Sequence, residues 1–102
     1  MAVKHINQDN WISEVKECDK PVLVDFFATW CGPCQMLGPV IEEFADTHDE
    51  IKVVKVDTDE NQELCEQYDI MAVPTVILFE KGEVKVRHEG FAAPDVLEDM
   101  CR

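Results

Sequence analysis

Apolar residues along the chain fall into short continuous runs and longer stripes of helical period. Pro21-Val22-Leu23-Val24-Asp25-Phe26-Phe27 is apolar at successive rather than alternate positions, which predicts a strand covered on both faces. Met36, Leu37, Val40, Ile41, Phe44 and Ala45 then recur at helical spacing and predict a long helix ending near Thr47. Upstream, Val3–Ile6 is a weak strand candidate. Asn7 or Asp9 can cap a helix running to about Cys18, with Trp11, Ile12 and Val15 on one face. Downstream, Ile51–Asp57 is a valine-rich strand. Asp59 followed by Gln62 has the spacing of a capping box, opening a helix that carries Leu64, Cys65 and Tyr68. Thr75–Phe79, the turn Glu80-Lys81-Gly82-Glu83 and Val84–His88 form a hairpin pattern. A last helix begins near Pro94 and carries Val96, Leu97, Met100 and Cys101. The order βαβαβαββα implies an α/β protein. Strands separated by helices pair in parallel and the late hairpin adds antiparallel pairs, so the five-stranded sheet is expected to be mixed, with four helices around it.

Composition narrows the function. A chain of 102 residues is expected to form one domain, 1–102, able to bury roughly two-thirds of its unfolded surface without a metal or disulfide staple. With 22 acidic against 9 basic residues the formal charge is −13, which excludes the clustered Lys and Arg that nucleic acid or an anionic membrane would need. A hydrophobic share of 46% is too high for a disordered acidic tail. The longest apolar run is short and broken by Asp25, so no segment is expected to span a bilayer. Met1–Gln8 has neither an apolar stretch nor a small-residue cleavage site, so no signal peptide is expected and a cytoplasmic setting is. Stable disulfides are rare there, and two close cysteines are usually catalytic or metal-binding.

The five cysteines cannot all pair within the chain. Only Cys31 and Cys34 are close, in Trp30-Cys31-Gly32-Pro33-Cys34, where the buried strand gives way to the long helix. Two cysteines three apart at a helix start face the same side. A ring that small removes little unfolded-chain entropy when closed, so its disulfide adds little stability and can be switched. Cys31 lies where the positive end of the helix dipole favours a thiolate. Cys34, a turn inside and expected to be more buried, can attack only a sulfur held at Cys31, so one cysteine is the nucleophile and the other resolves. Zinc would need about four ligands, usually as a second close pair. Cys18, Cys65, His5, His48 and His88 are scattered singly, and no metal is expected. Asp25, mid-strand among apolar neighbours, is costly unless neutral or paired.

Together these features resemble the thioredoxin family over essentially the whole chain. The resemblance rests on the element order, Asp25, the Trp-Cys-Gly-Pro-Cys run, Pro39 within the long helix, Lys55, Val73-Pro74-Thr75 before the hairpin and Gly90 after it. It implies the thioredoxin fold and a dithiol–disulfide oxidoreductase that reduces protein disulfides and is recharged by a thioredoxin reductase, with no bound cofactor. It further implies that Asp25 exchanges a proton with Cys34, that Lys55 lies near Asp25, and that the Val73–Pro74 bond is cis and faces the cysteines. Trp30, Gly32, Pro33, Ala72, Val73, Gly90 and Phe91 would form the apolar rim on which substrate docks, with the Val73 backbone pairing to an extended segment. A monomer is expected. A redox-silent binding module and an oxidase or isomerase are the competing classes. The second is disfavoured by Gly32-Pro33, which brings no charge to stabilise the reduced pair.

Departures from the family pattern are Phe27, Gln35 and Ala72, where Trp, a basic residue and Gly are common. Ala93 is a poor N-cap, and the last helix ends early. Cys18 and Cys65 read as small packing residues, Cys101 as a less covered one, and the three histidines as surface residues. No Lys or Arg occurs between Lys20 and Lys52, so partners with a basic rim are expected to be favoured.

Overall fold

The computed structural model describes residues 3–102. Five strands, β1 (Val3–Ile6), β2 (Val22–Phe27), β3 (Lys52–Asp57), β4 (Thr75–Glu80) and β5 (Glu83–Glu89), form one sheet in the order β1-β3-β2-β4-β5. β1 and β2 pair with β3 in parallel, whereas β2–β4 and β4–β5 are antiparallel. The helices are a short wide-turn segment, Ile12–Lys16, and three α-helices, α1 (Gly32–Thr47), α2 (Gln62–Gln67) and α3 (Pro94–Met100). A single 3-10 turn, Thr58–Glu60, precedes α2.

The central position of β2 explains its unbroken apolar run, because both faces are covered. Leu23 packs with Leu37, Ile41 and Phe44 of α1 and Leu97 of α3. Val22, Val24 and Phe26 point the other way, to Trp11, Val15 and Leu64. Each such side chain contributes about 1.5–3 kcal/mol on leaving water. The same alternation puts Asp25 on the Leu23 face, toward α1. The hairpin turns on Lys81 and Gly82, both left-handed at φ 54° and 81°. A Cβ on Gly82 would also sit 2.9 Å from the Lys16 carbonyl oxygen, so a side chain is excluded there.

Four local expectations are corrected. The first helix does not start at Asn7 or Asp9. The Asn7 side chain instead accepts from the Asp9 and Asn10 amides at 2.9 and 3.1 Å, closing a local turn that competes with helix. The helix that follows is wound so that the Glu17 amide reaches the Ile12 carbonyl at 2.9 Å. Trp11 and Val15 stay buried in this arrangement while Ile12 is 61% exposed. Met36 likewise leaves the buried stripe of α1, at 67% exposure. The capping box is absent. Asp57, not Asp59, caps the turn by accepting from the Asp59 amide at 2.9 Å, and Asn61, which precedes α2, spends its side chain on the Gln8 amide and the Asp57 carbonyl. Finally, His48 is no free surface residue. Its ring stacks on Phe44 at 3.9 Å, and its nitrogens lie 2.9 Å from the Phe44 carbonyl and 2.7 Å from the Glu98 carboxylate.

Candidate active site

The β2–α1 junction carries the chemistry. Cys31 is extended and occupies the N-cap of α1, with Gly32 and Pro33 as its first turn. Proline fits there because the first helical amides have no partner within the helix. The Cys31 sulfur takes the place of a capping oxygen, accepting from the Cys34 backbone N–H at 3.2 Å. Its thiol also reaches the Val73 carbonyl at 3.7 Å. Cys31, Cys34 and Ala28 form a small cluster with Phe27 and Val73 against it.

Burial does not separate the two cysteines as expected, since Cys31 is 5% and Cys34 4% exposed. Their electrostatics do. Burial, and then the neighbouring Cys31 sulfur, push the Cys34 thiol up to about 12. Asp25 contributes in the same direction, because its charge opposes a second negative charge nearby.

Asp25 is fully buried, and neither carboxyl oxygen has a hydrogen-bond partner among the described residues. Burial raises it to about 6, against a smaller opposing pull from Lys55. Lys55 sits beside it in register, and His5 follows Lys55 in the next strand. The Lys55 ammonium forms no ion pair with Asp25; it lies 4.6 Å from the centre of the Phe27 ring.

The segments before β4 and after β5 lie at the same end of the sheet as the β2–α1 junction, since Phe26 pairs with Thr75 and Thr75 with Glu89. The Val73–Pro74 peptide is cis. Ala72 and Val73 are held by a bond from the Thr75 hydroxyl to the Ala72 carbonyl at 2.6 Å, and Gly90 donates its amide to the Pro74 carbonyl at 2.7 Å. Trp30 is 70% exposed, and Phe91 is exposed beyond Gly90.

Two neighbours escaped the sequence reading. The Asp59 carboxylate accepts from the Trp30 indole N–H at 2.9 Å and so fixes the ring. Met71 is 86% exposed beside Ala72. A bare apolar residue just before Ala-Val-Pro was the available signal for Met71. Asp59 had none, since its partner is 29 residues away. Among the described residues no cluster of His, Cys, Asp or Glu could hold a metal, and no helix is long and apolar enough to cross a membrane.

Two thiols at the start of a helix, in a mixed α/β sheet and backed by a buried carboxyl, define a protein that exchanges dithiol and disulfide. Comparison with known proteins places it more closely. The family model described as Thioredoxin matches residues 2–102. The chain is 37% identical to the thioredoxin of Mycoplasmoides gallisepticum, over 98% of this chain and 100% of that one. It is 39% identical to that of Bacillus subtilis, over 98% and 95%, and 51% identical to that of Alicyclobacillus acidocaldarius, over 78% and 77%. The chain belongs to the thioredoxin family. It is a dithiol–disulfide oxidoreductase whose Cys31–Cys34 pair exchanges with disulfides of substrate proteins and is renewed by a reductase.

Proposed function

We propose that Cys31 is the attacking sulfur, Cys34 the resolving one and Asp25 the base between them, in one domain spanning 1–102 that works as a cytoplasmic monomer. The observation that carries this is the asymmetry of the pair. The Cys34 amide donates into the Cys31 sulfur, where it would stabilise a negative charge, whereas the Cys34 thiol is held protonated, at about 12.

In the first step the Cys31 thiolate attacks one sulfur of a substrate disulfide. A Cys31–substrate bond forms, the substrate S–S bond breaks, and the departing thiolate takes a proton from solvent. In the second, Asp25 accepts the Cys34 proton. The resulting thiolate attacks the Cys31 sulfur, closes the Cys31–Cys34 disulfide and expels the second substrate sulfur as a thiolate, which takes a proton from solvent. The substrate gains two electrons and the pair loses two, which the reductase returns. At neutral pH Asp25 is largely ionised yet more basic than an exposed carboxylate, as a general base should be. Lys55, next to it in register, helps keep it ionised. Trp30, Gly32, Pro33, Ala72, Val73, Pro74, Gly90 and Phe91 form the surface on which the substrate segment lies.

The uncharged Gly32-Pro33 pair supports reduction rather than oxidation of substrates. Neither a bound cofactor nor a metal enters the cycle, and neither nucleic acid nor a membrane is a partner. Cys34→Ser tests the assignment. Incubated with a disulfide-bearing protein, it should accumulate a mixed disulfide mapped by mass spectrometry to Cys31, while Cys31→Ser accumulates none. Trapping at Cys34 instead would reverse the roles.

A further inference from the structure

Beside the redox pair runs an open groove of about 500 Å³, lined by Trp30, Asp59, Gln62, Met71, Ala72 and Val73 among others. It reaches the nucleophile through Val73, whose carbonyl contacts the Cys31 thiol. Its exposed apolar parts are the Trp30 indole and the Met71 thioether. An adjoining hollow of about 440 Å³ continues it past Gln62, Cys65 and Met71 to Glu66 and Asp69.

The charged side chains that line the groove and the hollow, Asp59, Glu66 and Asp69, are all acidic. From Val56 to Phe79 there is no Lys, Arg or His, and the stretch carries Asp57, Asp59, Glu60, Glu63, Glu66 and Asp69. None of these carboxylates forms an ion pair among the described residues. Arg87 stands at the Asp69 end of the hollow, where its guanidinium donates to the backbone carbonyls of Tyr68 and Asp69 and faces Glu89. Trp30 is itself fixed edge-on to a carboxylate through its indole N–H. A planar cation over that ring would meet the π face and Asp59 together, while its alkyl stem covered Met71. Arginine matches this combination better than lysine, being flat, weakly hydrated and able to stack.

We propose that this groove selects disulfides whose cysteine is flanked by arginine, the guanidinium lying over Trp30 toward Asp59, Glu66 and Asp69. This rests on the reductase assignment and adds the class of substrate sequence. An acidic flank would instead meet uncompensated carboxylates, so selection acts by repulsion as well as attraction.

The test uses one symmetrical disulfide-linked peptide made in three versions, with Arg, Ala or Glu on both sides of the cysteine. Second-order rates of reduction by the reduced protein are measured by stopped flow. At about 20 mM salt the Arg peptide should react at least roughly tenfold faster than the Glu peptide, the ratio falling below about threefold near 500 mM. The variant Asp59→Asn/Glu66→Gln/Asp69→Asn should cut the low-salt ratio by at least about threefold, all three changes being close in shape. Equal rates for the three peptides at low salt overturn the proposal while leaving the reductase assignment intact. A ratio unmoved by the triple variant overturns it too, because net charge alone would then be the cause. Failure to reduce any of the peptides would tell against the reductase assignment itself.

Discussion

Asp25, the proposed base, is the residue at which stability and chemistry would pull apart. Its folded value of about 6 lies above the ordinary 3.8, so the folded protein holds a proton that the unfolded chain has released. Below about pH 4 both states are protonated and the group is neutral to folding. As pH rises through 4 to 6 and beyond, the folded state must either keep the proton or bury a charge, and stability falls. By pH 7.5 the loss is on the order of 3 kcal/mol. Asp25→Asn removes the titration. It should therefore be more stable than the native protein by about 1–3 kcal/mol at pH 7.5 and nearly equal to it at pH 4, read from urea unfolding of the reduced forms. A gain of the same size at both pH values would show that burial, not ionisation, sets the cost. Turnover should move the opposite way, with slower release of the mixed disulfide at neutral pH. Asp25 stands out in the sequence because a carboxyl between Val24 and Phe26 breaks an apolar run. The cysteine pair stands out by spacing alone. Asp59 does not, because a surface acid after a strand looks the same whether it faces water or an indole.

Among the elements, strands were more legible than helix starts. The apolar runs that make β2 and β4 follow directly from burial on both faces, and the left-handed turn at Lys81-Gly82 from its glycine. Helix beginnings depended on which of several Asn and Asp side chains capped what, in local turns at Asn7 and Asp57 and through a distant contact at Asn61. Asn61, for instance, is held by the Gln8 amide, 53 residues away. The wide-turn segment at Ile12–Lys16 is likewise secured by Glu14, whose carboxylate meets Lys52 at 2.6 Å and Lys4 at 2.9 Å and is held down to about 2 by them. α3 has the least of its own. It is 7 residues long, and Ala93 gives it no side-chain cap. Leu97 and Met100 anchor it to the core, and the His48–Glu98 contact ties it to the end of α1. His48→Ala removes the stack on Phe44, a partner of the Phe44 carbonyl and that tie. We expect a loss of about 1–2 kcal/mol, or roughly 5–10 °C in Tm for a domain this size. Glu98→Ala removes only the half-exposed contact with the His48 ring and should cost less than about 1 kcal/mol. If the two variants melted alike, the ring would contribute nothing beyond its contact with Glu98.

At the level of the whole molecule the dominant fact is charge. With 22 acids and 9 bases, most carboxylates have no cation to pair with. The ion pairs that form among the described residues are few and mostly half-exposed or exposed, including Lys85–Glu80 and Arg102–Asp99. Such pairs contribute little individually, whereas self-repulsion among the surplus acids acts over the whole surface and opposes the compact state. Salt weakens both, since the Debye length falls from about 30 Å at 0.01 M to about 8 Å at 0.15 M. The long-range term, being repulsive, should dominate the change. Raising NaCl from about 20 to 300 mM is therefore expected to increase Tm by a few degrees at pH 7.5, with most of the gain complete by about 150 mM. The same increments at pH 4.5, close to the sequence pI of about 4.4 where the net charge nearly vanishes, should have far less effect. A fall in Tm at pH 7.5 would mean that Glu14 with its two lysines and the few other pairs outweigh the surplus. A molecule built this way gives up some stability to its own field. That field also surrounds the redox pair, where a basic partner would be drawn in.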